Sequence, residues 1–215
     1  MAALTVLVPD VLAEIPGIPS FVAERQILRA TRLFTEETRA WRVNLQLSVV
    51  ATVAAVNLTA LLPVGTELVD IVSMKNVGGG EPVHPKTFKW LDQNTSDWRG
   101  QTDIAARWYV LDGNNTVRLV PTPAVTTAAL YDVRVAVKPL LTATTIDDLL
   151  INKFSEPLIH GALAQLYQMP RKPWTDGGLA QFHLALFRDA LPGARVEAAE
   201  EFQTGIARKV KYGGL

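Results

Sequence analysis

Ile159-His160-Gly161-Ala162-Leu163-Ala164-Gln165-Leu166-Tyr167-Gln168-Met169-Pro170 runs directly into Arg171-Lys172-Pro173-Trp174-Thr175-Asp176. The first part is rich in Ala and Leu at helical spacing, and Asp176 is a residue type that opens helices. Between them Pro170 and Pro173 stiffen a turn that carries two cations and an indole. A helix, a basic turn and a fresh helix cap follow one another, so the last third of the chain reads as helical.

Working outward, Ser155-Glu156-Pro157 starts the helix, with proline tolerated in the first turn. Leu158, Ala162, Leu166 and Met169 line its apolar face; Gly161 and Ala164 lie off that face, small enough to let a second element approach closely. In the helix capped by Asp176, Leu179, Phe182, Leu186 and Ala190 share a face. Pro192-Gly193 is expected to break or kink it before Ala194–Phe202 resumes. Upstream, Thr144 or Thr145 with Asp147 and Asp148 resembles a capping box leading into Asp147–Lys153.

At the other end, Pro9, Pro16, Gly17 and Pro19 mark residues 1–19 as an extended arm, with Asp10 capping a single helical turn. Ser20 is the expected N-cap of a helix from about Phe21 to Ala40. Ala23, Ile27, Ala30, Phe34 and Trp41 share its apolar face, and Arg25, Arg29, Arg32 and Glu36 the opposite one. After Trp41 the period changes to two: Val43, Leu45 and Leu47 alternate with polar residues. Val49–Leu62 and Leu68–Met74 continue as strand-forming runs around a Pro63-Val64-Gly65-Thr66 turn. Arg107–Leu111 and Thr116–Val120 flank Asp112-Gly113-Asn114-Asn115, a strong hairpin signal, and Tyr131, Val133, Val135 and Val137 form another dry face.

The predicted class is therefore α+β: a helical bundle, of an N-terminal helix plus C-terminal helices, with an inserted antiparallel β-sheet or sandwich domain of about six strands. Its parts are an arm over 1–19, helices over 20–41 and 144–204, the β domain over 42–139, and a basic tail over 205–215. Residues 81–106, carrying Trp90 and Trp98, read as a long irregular polar connection.

Chemistry is sparse. Lys plus Arg number 21 and Asp plus Glu 21, so the net charge is zero, unlike a protein built to clamp a nucleic-acid backbone. The absence of cysteine excludes disulfides, Cys-ligated zinc and thiol nucleophiles. The N-terminal apolar run, broken by Pro9, is neither a signal peptide nor a membrane span. Gly78-Gly79-Gly80 lacks the Lys-Ser/Thr ending of a phosphate-binding loop. Asp92, Asn94, Ser96 and Asp103 have calcium-loop spacing, but Asp97 replaces the turn glycine and Asp103 the bidentate glutamate. His84, His160 and His183 fit no zinc-protease spacing, no serine sits in a Gly-x-Ser-x-Gly elbow, and Asp147-Asp148 and Glu200-Glu201 are explained by capping and solubility. These features predict no enzyme, cofactor or metal, and point to a component of an assembly.

Several segments carry a resemblance. Trp108-Tyr109-Val110-Leu111-Asp112-Gly113 with Val117-Arg118-Leu119-Val120-Pro121-Thr122-Pro123, and Asp147-Asp148-Leu149-Leu150, resemble head-to-tail adaptor proteins of short-tailed bacteriophages. So do His160-Gly161-Ala162-Leu163-Ala164 with Met169-Pro170 and Lys172-Pro173-Trp174, Ala194-Arg195-Val196-Glu197-Ala198, and the region of Phe34 to Trp41 with Glu37, Thr38, Arg39 and Arg42. The likeness covers about residues 20–203. It implies a virion protein of the neck or tail, assembled in the host cytoplasm, with no enzymatic activity and no membrane contact. It implies a dodecameric ring under the portal that continues the DNA channel, passes DNA without specific binding, and receives the tail nozzle or fibres.

The expected partner contacts are Arg171, Lys172 and Trp174 in the turn, Arg208, Lys209 and Lys211 in the tail, and Trp98 in the long connection. The alternative is a carbohydrate-type ligand-binding β-sandwich using Trp90, Trp98 and Trp108. A metal-dependent hydrolase built on the long connection is the third reading.

Overall fold

A computed structural model describes residues 1–113 and 115–202. In chain order the elements are β1 (Ala2–Ala3), a 3-10 turn (Leu4–Leu7), α1 (Val8–Glu14), α2 (Ser20–Thr38), β2 (Arg42–Val49), β3 (Ala55–Asn57) and β4 (Thr66–Asn76). There follow β5 (His84–Pro85), α3 (Phe88–Asn94), β6 (Thr102–Asp103), β7 (Trp108–Leu111), β8 (Thr116–Val120) and β9 (Thr122–Pro123). The last are β10 (Thr127–Pro139), β11 (Thr145–Ile146), α4 (Asp148–Tyr167) and α5 (Gly177–Ala199). The fold is mixed α+β, with mainly antiparallel sheets between N- and C-terminal helices in sequence. Its described residues divide into a β unit, Met1–Val6 with Trp41–Lys153, and a helical unit, Leu7–Ala40 with 154–202.

In the β unit, β10 is the centre of a three-stranded sheet, β2-β10-β4. Its alternation is kept: Tyr131, Val133, Val135 and Val137 are all buried. The second sheet has the order β3-β8-β7-β5, antiparallel except for the β5–β7 pair. Its centre is the expected hairpin, where Gly113 and Asn115 supply the positive φ that the turn needs. The two sheets meet through tyrosines: Tyr109 donates to the Ile71 carbonyl at 3.4 Å, and the Ala106 amide donates to the Tyr131 hydroxyl at 2.6 Å.

β4 is an edge strand whose free side is occupied from within the chain. Leu68 N–H donates to Asn115 Oδ1 at 3.2 Å and Ile71 N–H to Asp70 Oδ1 at 2.8 Å. Further along, Val83 N–H donates to the Met74 carbonyl at 2.8 Å, and Asn76 N–H to the Glu81 carbonyl at 2.9 Å. The ladder to β10 also shifts register twice, so Val69 and Val72 stand as bulged residues.

In the helical unit, Ala23, Ile27, Ala30 and Phe34 of α2 are fully buried, as their spacing predicts. Three threonines share that burial, which sequence periodicity misses. Thr31, Thr35 and Thr38 donate to the carbonyls of Ile27, Thr31 and Phe34 at 2.8, 2.8 and 2.7 Å, so each hydroxyl is satisfied inside its own helix. Phe34 forms the aromatic centre, with ring centroids 5.0 Å from Phe154 and 6.3 Å from Phe187. Trp41, expected on the same face, lies instead in extended chain of the β unit, because Arg39 turns left-handed (φ 54°) and ends the helix.

Several boundaries differ from expectation. Residues 8–14 are helical rather than extended: Leu7, Val8, Val11 and Ile15 bury one side, and Pro9 sits in the first turn where its missing N–H is harmless. Asp10 is inside that turn and does not cap it. Ser20 is already helical, with Pro19 before it and no side-chain cap. Asp147, not Thr144 or Thr145, caps α4, accepting from Leu149 N–H at 2.8 Å. Phe154 leaves helical geometry (φ −124°, ψ 22°), which places Pro157 in the first turn of a new segment. Pro192, by contrast, does not interrupt α5, which runs through Pro192-Gly193 to Ala199.

Candidate functional site

The turn between α4 and α5 is fixed by its own backbone. The Thr175 hydroxyl donates to the Met169 carbonyl and accepts from Lys172 N–H, and Asp176 N–H donates to the Tyr167 carbonyl at 3.1 Å. Asp176 then caps α5, accepting from Gly178 and Leu179 N–H at 2.8 and 3.0 Å. Arg171 holds φ 59°, and both it and Lys172 are exposed. Trp174 is half-buried beneath them: Lys172 Nζ stands 6.0 Å from its ring centroid, and its Nε1 is buried with no hydrogen-bond partner. The turn thus offers two exposed cations on a rigid frame.

On the two helices that this turn joins lies a pair that stands 23 residues apart in the sequence. His160 Nδ1 and His183 Nδ1 are 3.0 Å apart, and the Tyr167 ring stacks on His183 at 5.6 Å. One imidazole must donate and the other accept, so one and only one of these two nitrogens carries a proton. Burial, then the neighbouring His160, hold His183 below the usual histidine range, with Glu14 pulling weakly the other way. The arrangement is a packing contact between α4 and α5.

Residues 81–106 are more ordered than their composition predicts. Thr87 caps α3, accepting from Trp90 N–H at 3.2 Å, and Leu91, Trp98, Val110 and Val120 form a buried cluster with Phe88, Trp90 and Trp108 packed against it. Trp98, expected to reach a partner, is only 3% exposed. Its Nε1 donates to Asp92 Oδ1 at 2.9 Å, which also accepts from Arg99 at 2.8 Å. These bonds hold the Asp92 carboxyl below its ordinary range. The indoles needed by a sugar platform are similarly engaged, since Lys86 Nζ lies 4.0 Å over Trp90 and Trp90 meets Trp108 edge-on at 5.7 Å. Sequence reasoning missed this cluster because Phe88 and Trp98, which stack at 5.9 Å, are covered by Trp108, Val110 and Val120 only on the chain's return in β7 and β8.

Asp92, taken by Trp98 and Arg99, is not open to a cation. Among the described residues no group of three or more His, Cys, Asp or Glu is placed to hold a metal ion. An open groove of about 570 Å³ runs along β4, lined by Glu67, Leu68, Val69, Leu111 and Lys138 among others, with Lys138 and Glu67 3.5 Å apart. The groove brings together no acid–base pair beyond that ion pair. Arg208, Lys209 and Lys211 lie outside the described residues. Among the described residues, no helix is long and apolar enough to cross a membrane.

Comparison with known proteins gives one match across the chain: residues 2–209 fit the profile of a family described as SU10 adaptor protein. No curated protein matches.

Proposed function

The chain belongs to the SU10 adaptor protein family, structural adaptors of bacteriophage virions and not an enzyme class, and from that premise we propose that its copies close into a ring between the portal and the tail nozzle or fibres. The observation that carries this reading is the reach of the family match, over residues 2–209, which takes in both units and the start of the basic tail. The ring, dodecameric by the resemblance, continues the DNA channel; a zero net charge suits a conduit that DNA crosses without sticking. Assembly takes place in the host cytoplasm before the tail is completed.

Within that reading, Arg171 and Lys172, exposed on the rigid turn above Trp174, face an acidic surface on a neighbouring protein. Arg208, Lys209 and Lys211 reach an acidic groove on the portal or an adjacent copy. Native mass measurement after mixing with purified portal rings tests the whole: several copies of this chain bound per portal ring are expected, and a chain that stays monomeric and unbound refutes it. Deleting residues 206–215 is expected to weaken portal binding; unchanged binding rules out the tail as the contact. For residues 81–106, with Trp98 committed to the core, the tail or fibre contact falls to the exposed side chains around it, such as Arg99. Protease cleavage there is expected in free protein and not in assembled tails, and equal cleavage in both counts against it.

A further inference from the structure

α5 is apolar on two sides. Ala180, His183, Phe187, Ala194 and Ala198 form one side, and all are buried. This is not the face that periodicity marked. That face, Leu179, Phe182 and Leu186, is exposed, with Phe182 at 57%. Gly178, Phe182, Leu186 and Ala190 step along it by four residues, the spacing of a helix-packing ridge. Phe182 touches His183 edge-on, with ring centroids 5.2 Å apart, yet most of its ring faces water, as Leu186 does, and a row of exposed apolar side chains marks a contact surface.

α2 carries a counterpart. On its solvent side Phe21, Arg25, Arg29 and Leu33 also step by four, and all are exposed, Phe21 at 69%. Each ridge runs over about 18 Å, at roughly 1.5 Å per residue. Their shapes are complementary. The α2 ridge is bulky and apolar at its ends with long cationic stems between; the α5 ridge is small at its ends, at Gly178 and Ala190, with Phe182 and Leu186 between. Laid together, Phe21 and Leu33 fit over the small ends, and the arginine stems lie along Phe182 and Leu186. The charge also matches, since exposed Asp189 borders the α5 ridge while Arg25 and Arg29 lie on the α2 ridge.

We propose that the α2 ridge of one copy docks on the α5 ridge of a second copy. The contact joins two different surfaces, so each bound copy keeps one free ridge for the next, which is the condition for a closing ring. The proposal rests on the ring reading above and names its subunit interface.

The chain has no cysteine, so engineered thiols report the contact without background. The double variant Leu33→Cys/Phe182→Cys, treated with a flexible bis-maleimide after mixing with portal rings, is expected to give a ladder of covalent multimers; each single variant gives none. A ring that forms without a ladder overturns the proposal, as do single variants that dimerise readily, because they report like surfaces meeting. Independently, Phe182→Glu, checked to melt as the wild type does, is expected to weaken assembly at least ~10-fold. Arg25→Glu/Arg29→Glu and Asp189→Arg are each expected to weaken it, and all three substitutions together to restore it to within about threefold of wild type. Unchanged assembly of Phe182→Glu overturns this interface while leaving the ring reading intact. A wild-type chain that stays monomeric with portal present overturns both.

Discussion

Replacing Gly161 by alanine tests the packing of the helical unit with a single methyl group. A Cβ there would sit 2.8 Å from Phe187 Cδ2, 2.9 Å from Phe187 Cε2 and 2.9 Å from Ala30 Cβ. Neither wall yields easily. The Ala30 methyl is fixed to the α2 backbone, and the buried Phe187 ring is braced by Phe34, itself braced by Phe154. Overpacking of this kind costs about 1–3 kcal/mol, and rigid walls put it near the upper end. Alanine's better helix propensity returns about 1 kcal/mol. The expected net loss is about 2 kcal/mol, which for a chain of this size lowers Tm by about 4–8 °C. Gly193→Ala is the matched control: it lies inside α5 with nothing within 4 Å of the added methyl, so only the propensity gain applies. Thermal melts and urea midpoints followed by helical circular dichroism should move in opposite directions for the two variants. A Gly161→Ala protein as stable as wild type would refute the close approach of α2, α4 and α5.

Four further outcomes follow from the same geometry. Trp174→Phe removes a buried N–H that has no partner and should leave the urea midpoint unchanged or raised, whereas Trp174→Ala should lower the midpoint, with a loss of unfolding free energy of up to about 3 kcal/mol. Trp98→Ala should cost about 3–5 kcal/mol of β-unit stability; a Trp98→Ala protein that melts as wild type but fails in tail attachment would instead make Trp98 a contact residue. The histidine pair and Tyr109 set two pH limits on stability. His183 is depressed below its unfolded value of 6.5, so its contribution is complete above that pH and is lost as pH falls through the folded value; His183→Gln should flatten this acid limb of a Tm–pH curve. Burial pushes the Tyr109 phenol up from 10.0 to about 12, so its contribution is complete below pH 10 and lost towards 12; Tyr131 and Tyr167 are raised by burial too, so Tyr109→Phe should reduce that alkaline limb without abolishing it.

Local signals carried much of this architecture. The α2 core face, the β7–β8 hairpin, the alternation of β10 and the Asp176 cap are each set by neighbours within a few residues, and all are present where their spacing puts them. Gly161 was legible too, since a glycine in a helix rich in alanine and leucine has few roles other than close approach. What the sequence hid depends on contacts distant in the chain. α5 holds two apolar stripes, and periodicity marked Leu179, Phe182 and Leu186, whereas the core took the side with His183 and Phe187, where Gly161 leaves room for the ring. Trp98 reads as a loop residue until β7 and β8 supply Val110 and Val120 beneath it. The first helix was masked by Pro9 inside it and by Pro16 and Pro19 after it, although a proline signals a break only away from a first turn.

The closed side of β4 has a consequence for how such a chain survives crowding. When many copies gather at one site, any open strand edge becomes a template on which sheets of different molecules can zip together, a dead end from which assembly does not return. Asn115, Asp70 and the strand-end amides paired with Met74 and Glu81 occupy that template beforehand, and the bulges at Val69 and Val72 twist what is left. Along β4, copies can therefore collide often and part unharmed, leaving recognition to side-chain surfaces that can be sampled and released.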